Sequence, residues 1–400
     1  MLLELIIVIL IGILIGTITG LLPGIHTNLV NVILISIISS IALSIQPFLL
    51  GILIITITLT HLNIDNIPSI FLGCPNEDTQ ITVLPGHELL LEGRGQEAIT
   101  IAVFGTLVGI IIISLSASIV LKIIPSIYSL VLPFTKWFLL LIILALIFQE
   151  KHKFLATIIV VISGILGLLV LQETTLNEPL LPLFTGLFGI SGLIISLQQK
   201  TKIPKQKPES DVIIKKQYFS PTILGIIGLP LVSLFPALGT GQLTTAIAKI
   251  KKQTREQFLW MSSVINSGAM VLSFWTIYAL RKARTGTAVN LQSLIPQITT
   301  EQMIVLSTIM IFIGIIASML TIQLSKKAIV FLERTNYQRT SLITLCFLVL
   351  IIFLVSGFKG ILVSVAAAMV GIYAISNNVQ RITLMGSLLI PTAALYFKII

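Results

Sequence analysis

Two short stretches interrupt apolar, helix-forming sequence with the residues a polar binding site would use. The first, GLLPGIHTNL at 20–29, brings Pro23, Gly24, His26, Thr27 and Asn28 together. The second, SLFPALGTGQL at 233–243, brings Pro236, Gly239, Thr240, Gly241 and Gln242. Proline has no N–H and interrupts the helical ladder, while glycine accepts turns that other residues resist. A helix that restarts after such a break aims its free N–H groups and positive dipole end at whatever lies in front. Two such ends facing one another would cage a small charged solute. A plain proline kink is the competing reading of either motif alone, and the duplication favours a site.

A second group of chemical residues fills 63–97. Six of the fifteen acidic residues fall there: Asp65, Glu77, Asp78, Glu88, Glu92 and Glu97. Pro68, Pro75, Pro85, Gly73 and Gly86 interrupt its hydrophobic run, which suits a re-entrant hairpin better than a span. Carboxylates near membrane depth are costly and serve ions or protons. Asp65, flanked by Asn63 and Asn66, is the foremost candidate for Na⁺ or H⁺, with Asn76, Glu77, Asp78 and Thr79 as further polar candidates. An aqueous loop with solvated charges is the alternative. In the second half, Arg281 and Arg284 offer guanidinium groups that match a carboxylate in two bonds. Asn266 and Ser267 place polar groups inside the preceding apolar stretch, as site residues or as glue between helices.

Stepping from these residues to their carriers, the chain has 400 residues, 56% hydrophobic and 10% charged, with a mean hydropathy of +1.07. A soluble domain needs about 25% charged residues, so lipid is the main solvent here. A ruler of roughly 20 apolar residues finds about 10–12 spans. These stretches lack the alternation of barrel strands. The expected fold is therefore an all-α polytopic membrane protein. The first apolar stretch has neither a basic leading region nor a small-residue cleavage site and reads as a retained span. Cys74 and Cys346 make no disulfide or metal framework. The net charge of +10 is spread over span ends, which argues against nucleic acid. No H-E-x-x-H, G-x-S-x-G or phosphate-binding loop supports an enzyme, and no cofactor is expected beyond a coupling ion.

Six lysines in 198–217, with Pro204 and Pro208, mark a linker that the positive-inside rule makes cytoplasmic. Counting spans outward from it places 149–153, Lys326, Lys327, Arg334, Arg339 and Arg381 on the same side, and 172–179 on the other. The linker divides the chain into a first membrane repeat at 1–197, a basic connection at 198–220 and a second repeat at 221–400. Internal repeats of this kind, inverted or parallel, are the architecture of many secondary transporters, with the site at broken helices near the midplane.

The stretch NIPSIFLGCPNEDT at 66–79, followed by LPGHE at 84–88 and EGRG at 92–95, resembles the large membrane subunit of tripartite tricarboxylate transporters, TctA. The two Pro/Gly breaks resemble that family's paired G-x-x-P-G-x-G elements, although the second reads Pro236-Ala-Leu-Gly239. The ending NVQRITLMGSLLIP at 378–391 is also similar to the family's C-terminus, and the likeness is greatest to a shorter, uncharacterised archaeal branch. The resemblance implies an ion-driven secondary transporter for carboxylates such as citrate, working with a small membrane subunit and an extracytoplasmic binding protein. The expected function is ion-coupled uptake of a small organic anion by a multi-pass cell-membrane permease that could form a homodimer. A membrane enzyme acting on a lipid-linked substrate and a non-transporting scaffold are the alternatives.

Overall fold

A computed structural model of the chain describes residues 2–23, 25, 27, 30–31, 34, 46–73, 83–198, 203–207, 216–235, 238–281 and 285–399. Among the described residues the regular elements are all helical. Lipid offers backbone groups no partners, and a helix satisfies them within its own segment. Nine of the described helices are long and apolar enough to cross a bilayer. The protein is therefore a multi-pass membrane protein.

Small residues set how closely these helices approach. α1 (Leu2–Leu21) and α2 (Pro47–Ile64) run in the same direction, with Gly12 against Thr56, Gly16 against Thr60 and Gly20 against Ile64. The four-residue spacing keeps all three glycines on one stripe, where two membrane helices can touch backbone to backbone. Leu3, Leu10 and Leu14 cover the opposite, exposed side of α1. α2 bends at Asp65 into α3 (Asn66–Leu72), and α4 (Val83–Leu91) returns beside it with Gly86 against Ile70.

α5 (Gly95–Leu115), α10 (Phe219–Leu234) and α12 (Arg255–Leu280) are parallel. Trp260 Nε1 donates to Thr222 Oγ1 at 2.8 Å, and a Cβ on Gly105 would sit 2.8 Å from the Trp260 carbonyl. α6 (Ala117–Val131) packs on α12, while α14 (Thr300–Arg334) runs antiparallel to α5, with Gln96 bonded to Ser325 at 3.0 Å. α11 (Thr240–Ile250) and α13 (Gly286–Leu294) are half-length helices held against α12.

The remaining helices, α7 (Thr135–Phe148), α8 (Lys153–Gln172), α9 (Leu180–Gln198), α15 (Tyr337–Ser376) and α16 (Gly386–Tyr396), pack mostly among themselves, although Phe138 of α7 and Tyr337 of α15 join the cores of the helices above. At about 1.5 Å per residue a straight α15 would be twice as long as the hydrocarbon core. Gly357, with φ 65° and ψ −163°, breaks it. A Cβ on Gly360 would lie 3.2 Å from the Ile352 side chain, two turns or about 12 Å away in a straight helix. The chain doubles back there, so α15 is two spans.

The described helices thus form two bundles, α1–α6 with α10–α14 and α7–α9 with α15–α16. Each takes helices from both sequence repeats. Linker residues 203–207 lie on the first bundle. Gln206 Oε1 accepts from Gly95 N at 2.8 Å, Gln206 N donates to Glu333 Oε1 at 2.6 Å, and Lys207 N donates to the Gly93 carbonyl at 2.8 Å. Glu173 and Lys359, paired at 3.1 Å, mark the opposite face.

Candidate functional site

Behind Leu234 the chain leaves α10. Phe235 stacks on Phe138 of α7 with ring centroids 3.8 Å apart, which places this break at the boundary between the bundles. Pro236 lies outside the described residues. Gly239 is the N-cap of α11 in an extended conformation and brings no capping side chain. α11 then returns alongside α10, with Leu243 against Gly228 and Lys251 Nζ bonded to Ser220 Oγ at 2.6 Å. Its first turn is buried: Gly241 is covered, Thr240 is 7% exposed and Gln242 4%. Both amide atoms of Gln242 are buried with no partner among the described residues. An amide buried that way costs about 1–3 kcal/mol, and a native fold tolerates such a cost where the group has other work.

The first break follows Leu21. Pro23 and Thr27 are buried, and Thr27 Oγ1 has no partner among the described residues. Gly24, His26 and Asn28 lie outside the described residues. One turn beyond Thr27, the amide of Asn31 donates to Thr58 Oγ1 of α2 at 3.2 Å and to Thr287 Oγ1 of α13 at 3.1 Å. Asn31 is fully buried, and its Oδ1 lacks a partner among the described residues.

Contacts between neighbouring helices relate the depths of the two breaks. Leu243 touches the level of Gly228, Leu229 meets Gly268, and Gly268 also meets Ile113. One turn along α5, Ile110 meets Gly314 of α14, and one turn along α14, Ser318 donates to Asn63 Oδ1 at 3.3 Å. Asn63 in turn lies just over one turn from Thr58. At about 5.4 Å per turn, Gln242 and Asn31 lie at closely similar depths.

Asp65 is 2% exposed at the bend between α2 and α3 and accepts from Ser69 Oγ at 3.1 Å. Asn63 and Asn66 return their amides to carbonyls of their own helix, at Leu59 and Leu62. His61, one turn before Asp65, has Nδ1 3.0 Å from Thr19 Oγ1 of α1. Asn76, Glu77, Asp78 and Thr79 lie outside the described residues. Glu92 and Glu97 join Arg94, Arg255 and Glu256 in an ionic cluster at the linker face. Arg255 holds the Glu92 carboxyl below its ordinary range through a hydrogen bond. These charges read as solvated pairs at the linker face.

In α12, Ser267 returns its hydroxyl to the Ser263 carbonyl at 2.9 Å and faces Gly109, a packing contact between helices. Asn266 is half-buried beside it. Arg281 is exposed at the left-handed cap of α12, and Arg284 lies outside the described residues. Among the described residues no three His, Cys, Asp or Glu side chains gather to hold a metal ion. Asn31, Thr58 and Thr287 escaped the sequence reading. A second Asn four residues past Thr27 in an apolar stretch was the available signal, but its partners are 27 and 256 residues away.

The chain matches the tripartite tricarboxylate transporter TctA family over residues 6–386. It is similar to the uncharacterized protein MJ1079 of Methanocaldococcus jannaschii, with 32% identity over 365 residues covering 88% of each chain. No solved structure matches. With nearly its whole length inside that match, the chain belongs to the TctA family of tripartite tricarboxylate transporters.

Proposed function

We propose that the protein is a secondary transporter that moves a small carboxylate through the first bundle, holding it between the restarted helices at Thr27 and Thr240. The observation that carries this reading is Gln242, whose buried amide is open at both ends. No arginine or lysine is buried among the described residues. Positive potential must then come from helix starts, which favour an anion by about 0.3–1 kcal/mol each and more when partly buried. Asp65 is the proposed seat of the coupling ion, Na⁺ or H⁺. A buried carboxylate one turn from His61 is costly in lipid unless a cation neutralises it.

Transport also needs the site to face each side in turn. We infer that the first bundle carries the solute by moving against the second, because most buried contacts lie within one bundle or the other and the bridges are local ones, such as Tyr337 to Leu72 and Phe138 on Phe235. The family description, tripartite, suggests further subunits. A binding protein would meet the face opposite the linker.

The test is uptake into sealed proteoliposomes. A transporter accumulates unmodified carboxylate when a Na⁺ or H⁺ gradient is imposed, and Asp65→Asn abolishes accumulation while the protein still inserts. Release of an altered product without a gradient would favour an enzyme. Full uptake by Asp65→Asn would remove Asp65 from coupling.

A further inference from the structure

A cavity of about 190 Å³ lies between α5, α6, α10 and α12, away from the two breaks. Ile119, Ile123 and Ile127 of α6, Ile226 and Pro230 of α10 and Leu272 of α12 line it. Pro230, inside α10, has no N–H to give the Ile226 carbonyl, so the gap sits where the α10 ladder is interrupted. Ser116 is the one polar side chain in the wall, and its hydroxyl donates to the Ile113 carbonyl at 3.1 Å. A cavity without free polar side chains stays dry and takes hydrocarbon. Its mouth opens at Ile119 and Ile123, 57% and 49% exposed, while Leu229 and Leu272 close the floor.

α5 starts at the linker face, where Gly95 N meets Gln206, and its 21 residues cover about 30 Å, the thickness of the hydrocarbon core. Ser116 and the start of α6 therefore lie at the opposite surface of the bilayer. From there the cavity follows α6 from Ile119 to Ile127, about 12 Å at 1.5 Å per residue, toward Ile226 in the first half of α10. Lys122 is exposed between Ile119 and Ile123 in the sequence, and a lysine stem at that depth reaches the charged surface. We propose that the cavity binds an acyl chain of an anionic phospholipid from the leaflet opposite the linker, with Lys122 pairing its phosphate. Gly228, beside Leu229 on α10, carries Leu243 of α11, so a seated chain braces the helix against which α11 restarts. The site is independent of the carboxylate reading.

The test is photolabelling of the full chain in phosphatidylcholine vesicles that hold a trace of phosphatidylglycerol with a diazirine in its acyl chain. Labelled peptides are read by mass spectrometry. Label should concentrate on α6 and α10 relative to α15 around Leu354, which is 69% exposed. Ile123→Trp, which fills the mouth, should abolish that concentration without lowering the melting temperature. Ile119→Trp fills the same mouth from the next turn and serves if the first variant folds poorly. Lys122→Gln should cut the cavity label about fivefold, the worth of one lysine at a lipid surface. Label spread evenly over α6, α10 and α15, or cavity label that survives both fillings, would overturn the proposal. So would an equal yield from a phosphatidylcholine probe with the same chain, or an unchanged yield in Lys122→Gln.

Discussion

The two bundles are built alike and burdened differently. Both close their helices on glycine, Gly105 and Gly109 on α12 in the first and Gly167 on Ser387 or Gly186 on Ser364 in the second. In the second bundle the buried polar atoms without a partner, among the described residues, are the hydroxyls of Ser196, Ser341, Ser356 and Ser387. A serine hydroxyl turns back to a nearby carbonyl of its own helix at little cost. In the first bundle such atoms include the Gln242 and Asn290 amides, the Asn31 carbonyl oxygen, the Trp275 indole and the Tyr278 phenol. On the proposed function, the contrast would leave scaffolding to one bundle and the solute to the other.

The strongest way to break that assignment is to tie the bundles together. Lys249 Nζ of the first lies 2.6 Å from Gln149 Oε1 of the second. Cysteines at both positions, bridged by a short thiol-reactive reagent in a background lacking Cys74 and Cys346, should reduce uptake to background. The same bridge between Glu92 and Arg255, which joins the two sequence repeats within the first bundle at 2.7 Å, should leave uptake intact. If only the second bridge blocks, the repeats and not the bundles are the moving parts.

A smaller but sharper effect comes from the orphan groups themselves. Gln242→Leu removes two unpaired atoms at similar volume, so it should hold or raise the melting temperature while uptake falls by about a hundredfold, the worth of two hydrogen bonds. Ser356→Ala, its counterpart in the second bundle, should change neither. Glycine replacement should erase the difference between bundles: Gly109→Val and Gly167→Val each push a side chain into a facing carbonyl and should cost about 3 kcal/mol, read as loss of folded yield. The smallest effect is expected at the linker face. Glu92→Gln should lower stability only slightly at neutral pH, as expected for an exposed ion pair. Because the folded Glu92 carboxyl is held below its ordinary range, whatever it contributes is present above the ordinary carboxylate pKa and lost only as the pH falls through the lowered value.

Local chemistry in the sequence went far toward the fold. Helical apolar runs gave about 10–12 spans, and α15 holds two of them on either side of the break at Gly357. Proline and glycine marked the restart of α11, and lysines marked the linker face. Packing was less legible. That Gly12, Gly16 and Gly20 face α2, or that α7–α9 pack with α15–α16 across the repeats, depends on contacts between segments far apart in sequence. The same limit hid Asn31 and Thr287. Ser267 shows the converse, a polar residue in a span whose hydroxyl serves its own helix.

The central claim, that a carboxylate is held by the restarted helices, is tested most directly by paired thermal shifts of the wild-type protein and Gln242→Leu against a panel of di- and tricarboxylates. A ligand bound to the folded state raises the melting temperature by mass action. A rise in the wild-type protein that Gln242→Leu lacks is the predicted result. The same rise in both proteins, or none in either across the panel, would contradict it.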